Sequence, residues 1–595
     1  MTDAANVLCR ACGADVPSGE FCGLCGTHLA PRRGDGPDWL RLNTFAVTPD
    51  EHVLRLSVAS SIFPQLPQKS RAPFRLALAL IVLVMVTFAV LRWQAPLVGV
   101  IALGLPVLFL LYLREIGAVR FLPLRALVIH TGVCIALGVG WVLLTGKAVA
   151  RSYDIALGTA LPGKSVWLAG VAIPLGGAVV MLVGALALRL LRPEKRESLD
   201  GFTIGAWGAI VFTAAATLTR LAPEFTTGLT TRDRPVSWFF VEAAIRGVAG
   251  PLIMASVGGM VGLTLWFGRR SDRHRRAARV VFTLGVGVLL AAYTGLGVAD
   301  VSRVPQGLQL GLYAVVTAGF LWALRIALQI ALLTEDHAEP HRDASVRCPQ
   351  CEHVVPDVPF CPDCGAARAV CRTSGNEHTT SRRLASTVGA SVAGIAAAAA
   401  VVTATITPPP VPYVCPPECG RPPIAPPVAI NPRFTASTGD FSVSYPGPEM
   451  PYESTLDANG VRLTYVGGDG GQLRLFAEPA ANRTPRQVAD ALIKKTFPGA
   501  TTAYEIPSAA VGYQPGYGEF ADVFPHTGSG SFARVRVVVL VAEKNGLDLI
   551  ATATGPYREF GPHFGTGRPS AANLELALDM DKYVNSFTWR GDPPR

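Results

Sequence analysis

Nine stretches of this chain are apolar for about 20 residues, the length needed to cross a bilayer, and such segments have few stable fates other than spanning. Eight fall at 76–93, 95–113, 124–145, 166–191, 201–221, 246–267, 279–298 and 307–333. The ninth, 386–407, is alanine-rich and carries small residues four apart (Gly389 with Ala393, Ala390 with Gly394), a spacing that lets a helix pack closely on a neighbour. Half of the 595 residues are hydrophobic and 16% are charged, which sets the chain apart from ordinary soluble domains. The expected fold class is a multi-pass α-helical membrane protein of eight plus one helices.

Charge sets the expected orientation. The loops after the second, fourth and sixth spans read REIGAVRFLPLR, RPEKRES and GRRSDRHRRAAR and hold twelve Lys and Arg, whereas basic residues in the other loops are sparser. The positive-inside bias then puts the N-terminus in the cytoplasm. Eight crossings return the chain there, and the ninth exports everything beyond it.

Two copies of one cysteine pattern, C-x2-C-x9-C-x2-C-G, bracket the eight spans. Cys9, Cys12, Cys22 and Cys25 form the first set, and Cys348, Cys351, Cys361 and Cys364 the second. Paired C-x2-C knuckles present four thiolates tetrahedrally, the structural zinc arrangement, so two Zn²⁺ are expected. Each module is too small to bury a core, and the metal would supply its folding energy. A closed four-thiolate site has no open position for catalysis. Glu352, Asp357 and Asp363 in the second module oppose phosphate, so protein contact is favoured over nucleic acid. Four thiolates and one divalent ion per site would bring the formal charge of +10 to about +6. The basic excess beside the spans reads as a topology signal.

The expected organisation is a zinc ribbon at 1–34, an interfacial linker at 35–75, the eight-helix membrane domain at 76–335, the second ribbon at 345–370, the ninth helix at 386–407, a proline-rich linker at 408–431 and an extracytoplasmic α+β domain at 432–592. The linker holds Cys415 and Cys419, placed to close a small disulfide, with unpaired or intermolecular thiols as the alternative. In the last domain, FSVSYP alternates as a strand, and VRLTYVGGDGGQLRLFAEP reads as a hairpin. TPRQVADALIKKTF opens with Thr484, Pro485 and Gln487, a capped helix start. FARVRVVVLVAEKNGLDLIATATG turns at Asn545–Gly546, and SAANLELALDMDKYVNSF reads as a closing helix. These elements predict an antiparallel sheet with helices packed on it. Its opening FSVSYP and closing VNSFTW resemble PsbP-like domains of secreted bacterial proteins.

The segment LGLPVLFLLYLREIGAVRFLPLRALVIHTG, the run from VAIPLGGAVV to TAAATLTRL, and RGVAGPLIMASVGGMVGLTLWF resemble successive helices of PrsW-type intramembrane metalloproteases. Members of that family carry E-E-x-x-K after a proline. Here Pro174 is followed by Leu175, then Gly176 and Gly177 at the glutamate positions and Val180 at the lysine. Ala216 stands where the family's next glutamate falls, and Met254 where its histidine falls. The resemblance therefore implies the protease-like bundle without the side chains that hold its metal. A search of the spans for titratable groups yields His130, Glu242, Asp154 and Asp200, with Glu115 at a helix end, and no H-E-x-x-H or paired-carboxylate pattern. Glu242 can pair with Arg246 one turn on, Asp200 suits a helix start, and His130 suits an interhelical hydrogen bond. His526 and His563 in the tail have no partner motif.

The expectation is a non-catalytic membrane adaptor or sensor: membrane lipid around the bundle, a cytoplasmic protein on the ribbons and an extracytoplasmic ligand or protein on the tail. An active PrsW-type protease and a small-molecule transporter are the alternatives.

Overall fold

The computed structural model describes residues 6–593 except 31–33, 35, 38, 65, 119–122, 152–156, 158–165, 192–196, 227–228, 231–234, 268–271, 303, 336–340, 349, 371–380, 407–428, 467–470, 507–508, 525–533 and 557–579. Among the described residues, nine helices are long and apolar enough to cross a membrane. An apolar backbone out of water must satisfy its polar groups internally, which a helix does within one segment.

In chain order, β1 (Asn6–Leu8) and β2 (Asp15–Pro17) form the first cysteine module, and a short α1 (Val58–Ile62) follows. The spans begin with α2 (Gln68–Leu91), α3 (Gln94–Glu115) and α4 (Leu124–Arg151). The fourth opens as a π-helix over Val166–Ala172 and continues as α5 (Ile173–Leu191). Then come α6 (Ser198–Leu221) and a span built of α7 (Val236–Glu242), a second π-helix (Ala243–Ala249) and α8 (Gly250–Trp266). The segment SWFFVEAAIR thus extends the sixth span. The eight close with α9 (Asp272–Val301) and α10 (Gln306–Thr334), and the ninth is α11 (Ser381–Ile406).

The centre of the bundle is α6 crossing the α7–α8 span, whose apolar windows are 78% and 72% buried, against 17% for α9 and α11 at the periphery. Glycine decides this crossing. Gly201 and Gly205 of α6 face Gly258 and Gly262 of α8, and a Cβ on any of the four would overlap a backbone carbonyl of the facing helix. Two small-x3-small rows therefore let the backbones touch.

The second cysteine module contains β3 (His341–Arg347) and β4 (Val354–Asp357). The C-terminal domain opens with β5 (Arg433–Thr435), β6 (Phe441–Ser444), β7 (Tyr452–Asp457), β8 (Gly460–Tyr465) and β9 (Gln472–Pro479), then α12 (Pro485–Thr496). It continues with β10 (Thr501–Ile506), β11 (Ala510–Val511), β12 (Gln514–Pro515), β13 (Tyr517–Val523), β14 (Val535–Lys544), β15 (Leu547–Pro556) and β16 (Thr588–Trp589). The main sheet runs β10-β13-β14-β15-β9-β8-β7 and is antiparallel throughout.

Thr484 and Gln487 form the full capping box of α12, and Asn545 (φ 58°) and Gly546 (φ 74°) make the β14–β15 turn. Strand β14 is apolar from Val537 to Ala542 because both sheet faces are covered there. Val535, Val537, Val539 and Val541 meet Val488, Leu492 and Ile493 of α12. Val538 and Leu540 meet Phe441, Phe587 and Trp589 on the other side.

The α12 face of this domain also contacts the bundle. Val149, Leu157 and Ile173 share its buried cluster, Arg474 Nη1 donates to the Leu157 carbonyl at 2.8 Å, and Trp238 lies 5.9 Å from Phe524 between ring centroids. These contacts involve the ends of α4, the π–α5 span and α7. The cysteine modules sit at the other end of the bundle, beside the C-terminal end of α10.

Candidate metal centres and a buried polar cavity

The two cysteine modules fold alike. In the first, Cys9 and Cys25 lie 3.7 Å apart through sulfur, and Cys12 and Cys22 3.8 Å. In the second, Cys348–Cys364 is 3.8 Å and Cys351–Cys361 3.7 Å. A tetrahedron of ~2.3 Å metal–sulfur bonds has edges of ~3.8 Å, so both sets have the dimensions of an ion cage. All four sulfurs of each set lie within 4.8 Å of one another. The crowded thiols perturb one another. A hydrogen bond to Cys348 helps push Cys361 up to about 12, while one from Cys22 pulls Cys25 down to about 4. An ion would replace this proton sharing with four thiolates.

The modules also pair with each other, which no local pattern foretells. The Phe21 N–H donates to the Pro362 carbonyl at 2.8 Å, and the Phe360 N–H donates to the Gly23 carbonyl at 2.9 Å. Phe21 and Phe360 hold equivalent places in the two repeats, as do Gly23 and Pro362, so the contact is reciprocal about a local two-fold axis. The glycine after each fourth cysteine completes it. Gly26 (φ 68°) and Gly365 (φ 74°) adopt the left-handed conformation, and a Cβ on either would come within 2.7 Å of the opposite module's phenylalanine ring. Each ring packs where the other module has no side chain.

A polar clasp fastens this pair to the bundle. Arg325, in the apolar run of α10, is fully buried. It donates to Glu51 Oε2 (3.2 Å), Ser60 Oγ (2.7 Å) and the Val53 carbonyl (2.8 Å), and its guanidinium lies 4.2 Å over the Phe45 ring. One turn on, Gln329 accepts from the Ala46 N–H and donates to the Leu40 and Thr44 carbonyls. Arg71 of α2 bridges the Val47 carbonyl and Gln350 of the second module, and the Ala367 N–H donates to the Ala46 carbonyl. Within the 35–75 linker, the segment 40–63 wraps between the modules and α10. Its short apolar pieces are buried at Phe45, Val53, Ile62 and Phe63.

At the opposite end a cavity of about 200 Å³ opens among six spans. Pro174, Gly177, Ala216 and Met254, which the protease resemblance places at the metal site, all line it. Trp141 lines it too, and a Cβ on Gly176 or Gly177 would come within 2.6 or 2.8 Å of the indole. The tryptophan thus occupies the space that side chains at those two positions would need. The polar lining comes from Arg220, Tyr293, Asp300 and Tyr313, none of them a candidate from sequence, with Thr213, Thr217 and Arg246, the anticipated partner of Glu242. Gln309 Nε2 and the Tyr313 hydroxyl donate to the two oxygens of Asp300 at 2.6 and 2.7 Å. Arg246 pairs with buried Glu242 at 3.5 Å, as the i,i+4 spacing anticipates. Ala169 of the first π-helix and Arg246 of the second both line the cavity. Single π turns recur at functional sites.

The other sequence candidates lie apart. His130 is buried against Gly184 and Gly208, with its ring 3.9 Å from the Cys134 sulfur. Asp200 sits in the first turn of α6, and Glu115 accepts from Ser70 at 2.7 Å. Of the second module's acids, Glu352 pairs with Lys69, Asp357 with Arg368 and Asp363 with His353. Asp154, Cys371, Cys415, Cys419, His526 and His563 lie outside the described residues. A lone charge in an apolar run was the available signal for Arg325 in LWALRIALQIALL, as was the charge closing a span for Arg220 and Asp300.

No family model, no curated protein and no solved structure matches this chain. The PrsW-type and PsbP-like resemblances therefore rest on the residues quoted for them.

Proposed function

We propose that this protein is a non-catalytic integral membrane sensor and adaptor that presents a paired zinc-ribbon platform to a cytoplasmic protein and an α+β domain to an extracytoplasmic ligand or protein. The observation that carries this reading is the course of α10. Its first turns supply Tyr313 to the cavity beneath the C-terminal domain and Gln309 to the lining Asp300, and its last turns supply Arg325 and Gln329 to the clasp under the cysteine modules. One helix thus touches both ends of the molecule.

Four-thiolate chemistry and ~3.8 Å sulfur edges favour Zn²⁺ at both centres. The positive-inside bias favours the cytoplasm for the ribbon end and the exterior for the C-terminal domain. The acids of the second ribbon, Glu352, Asp357 and Asp363, favour a protein partner over nucleic acid because they oppose phosphate. Gly177, Ala216 and Met254 offer no group that would hold a catalytic zinc or move a proton, and Trp141 fills the neighbouring space, which favours loss of protease chemistry.

Crosslinking and pull-down from membranes, comparing wild type with Cys348→Ser/Cys351→Ser, tests the docking role. Loss of specific partners from the variant is expected, and an unchanged partner set refutes ribbon docking. Metal analysis of purified protein should give two zinc per chain. A third zinc, with peptide cleavage that stops when it is chelated, would restore the intramembrane protease reading. The polar cavity favours a small-molecule transporter as the second reading, tested by substrate flux in proteoliposomes.

A further inference from the structure

The cavity at the outer end of the bundle is built from costly parts. Arg220, Arg246 and Asp300 line it, with Glu242 behind Arg246, so two cations and two anions stand together in otherwise apolar spans. Ionisable groups within apolar spans are candidates for ligand or ion sites by default. Both arginines act electrostatically on the Asp300 carboxylate, so the four form one network. A network serving packing alone would close on itself. This one borders about 200 Å³ of open space, and the lining Thr213 hydroxyl has no hydrogen-bond partner among the described residues. At ~30 Å³ per water, that space takes about six or seven waters or one small organic group.

Charge balance selects the kind of group. A lone anion on the arginines would leave Asp300 and Glu242 with fewer cations, and a lone cation on Asp300 would leave the arginines with fewer anions. A molecule carrying both charges satisfies both ends. Asp300 is suited to the cationic end, because Gln309 and Tyr313 use one acceptor site on each of its oxygens and leave the others available. Guanidinium forks suit a phosphate or carboxylate. Phe212, Met254 and Trp141 supply apolar walls for the linker between them.

We propose that this cavity binds a small zwitterion, a primary ammonium joined by a short linker to a phosphate or carboxylate, with the anion on Arg220 and Arg246 and the ammonium on Asp300. The zwitterion can arrive free or as the headgroup of a lipid. The proposal deepens the sensor reading by naming the input at the end opposite the ribbons, and it rests on that reading only for its consequence, not for binding itself.

Calorimetry on the full chain in detergent, with phosphoethanolamine and glycine as soluble zwitterions and with inorganic phosphate and ethanolamine as the separated charges, tests it. Nanodiscs of phosphatidylethanolamine or phosphatidylcholine, read by Trp141 fluorescence against a Trp141→Phe control, form the lipid arm. Saturable binding of a zwitterion at least about tenfold tighter than either separated charge is expected, with about tenfold or greater loss in Asp300→Asn. A response to phosphatidylethanolamine alone assigns the lipid source, and a response to a soluble zwitterion assigns the free one.

Ala216→Leu keeps every charge and fills the cavity, so it should abolish binding while leaving the circular dichroism spectrum and elution volume unchanged. No zwitterion binding in either arm, phosphate binding as tightly as phosphoethanolamine, or full binding in a folded Ala216→Leu would each overturn the proposal. Partner capture by the ribbons, measured on the same Ala216→Leu protein, separates the two ideas. Capture without zwitterion binding in wild type refutes the cavity alone, and binding without capture refutes ribbon docking alone.

Discussion

Replacing Phe360 by Ala should loosen metal in the module that does not contain it. Phe360 belongs to the second cysteine module and is 1% exposed. Its ring faces Gly26 of the first, and Arg41 lies 5.7 Å from its centroid. Truncating a buried phenylalanine costs about 3–5 kcal/mol. The ring divides its contacts between the two modules, so roughly half, about 2 kcal/mol, belongs to the pairing. At 1.4 kcal/mol per decade, that is about 25-fold in the equilibrium that holds the modules closed. All eight cysteines remain, so neither ligand set is touched directly. The assay is transfer of metal from zinc-loaded full-length protein to a chromogenic chelator. Both metals should leave about 10- to 30-fold faster than from wild type, and Phe21→Ala should behave alike by symmetry. Acceleration of one metal while the other stays within about twofold of wild type would refute the reasoning, because reciprocal packing makes each site depend on the other.

Three further outcomes follow from the same geometry. Arg325→Met leaves buried Glu51 with Arg75 as its remaining cation and removes the bonds to Ser60 and to the His52 and Val53 carbonyls, which costs about 1–3 kcal/mol, so limited proteolysis should cut within 40–66. Glu51→Gln, which weakens the same clasp from its acid, should open the same segment, and unchanged protection in both variants would mean that the ion pair is not what holds the clasp. Gly262→Leu should separate α6 from α8 and lower the thermal midpoint in detergent by several degrees, and an unchanged midpoint would contradict the close crossing.

Asp548 gives a pH prediction. It is fully buried, neither carboxylate oxygen has a partner among the described residues, and it lies across from Glu543 and Glu478 on the adjoining strands. Burial, and then the charge of Glu543, push its carboxyl up to about 6. Because the folded value lies above the unfolded one, this group's contribution to stability is full below pH ~4 and is lost as pH rises through ~6. Asp548→Asn should therefore stabilise the C-terminal domain by about 1–3 kcal/mol at pH 7.5 and leave it unchanged at pH 4, as read by thermal denaturation. Equal effects at both pH values would refute the buried-charge account.

The legible parts of this molecule are those whose cause lies within a turn or a hairpin. Apolar length announces a span, C-x2-C spacing a metal knuckle, Thr484 and Gln487 a helix start, and Asn545–Gly546 a strand reversal, each needing only neighbours in sequence. Only the tertiary structure decides that Phe21 seats on Gly365, that Arg325 meets Glu51 across 274 residues, and that Pro174, Ala216, Met254 and Asp300 surround one space. The sequence search took Glu242 and missed Asp300 for the same reason: Glu242 has its partner one turn away, whereas the meaning of Asp300 depends on Tyr313 and Arg220 from other helices. Between spans that are all apolar, burial does not choose neighbours. Glycine rows, buried ion pairs and ring-on-glycine contacts do, and they act only once distant segments have met.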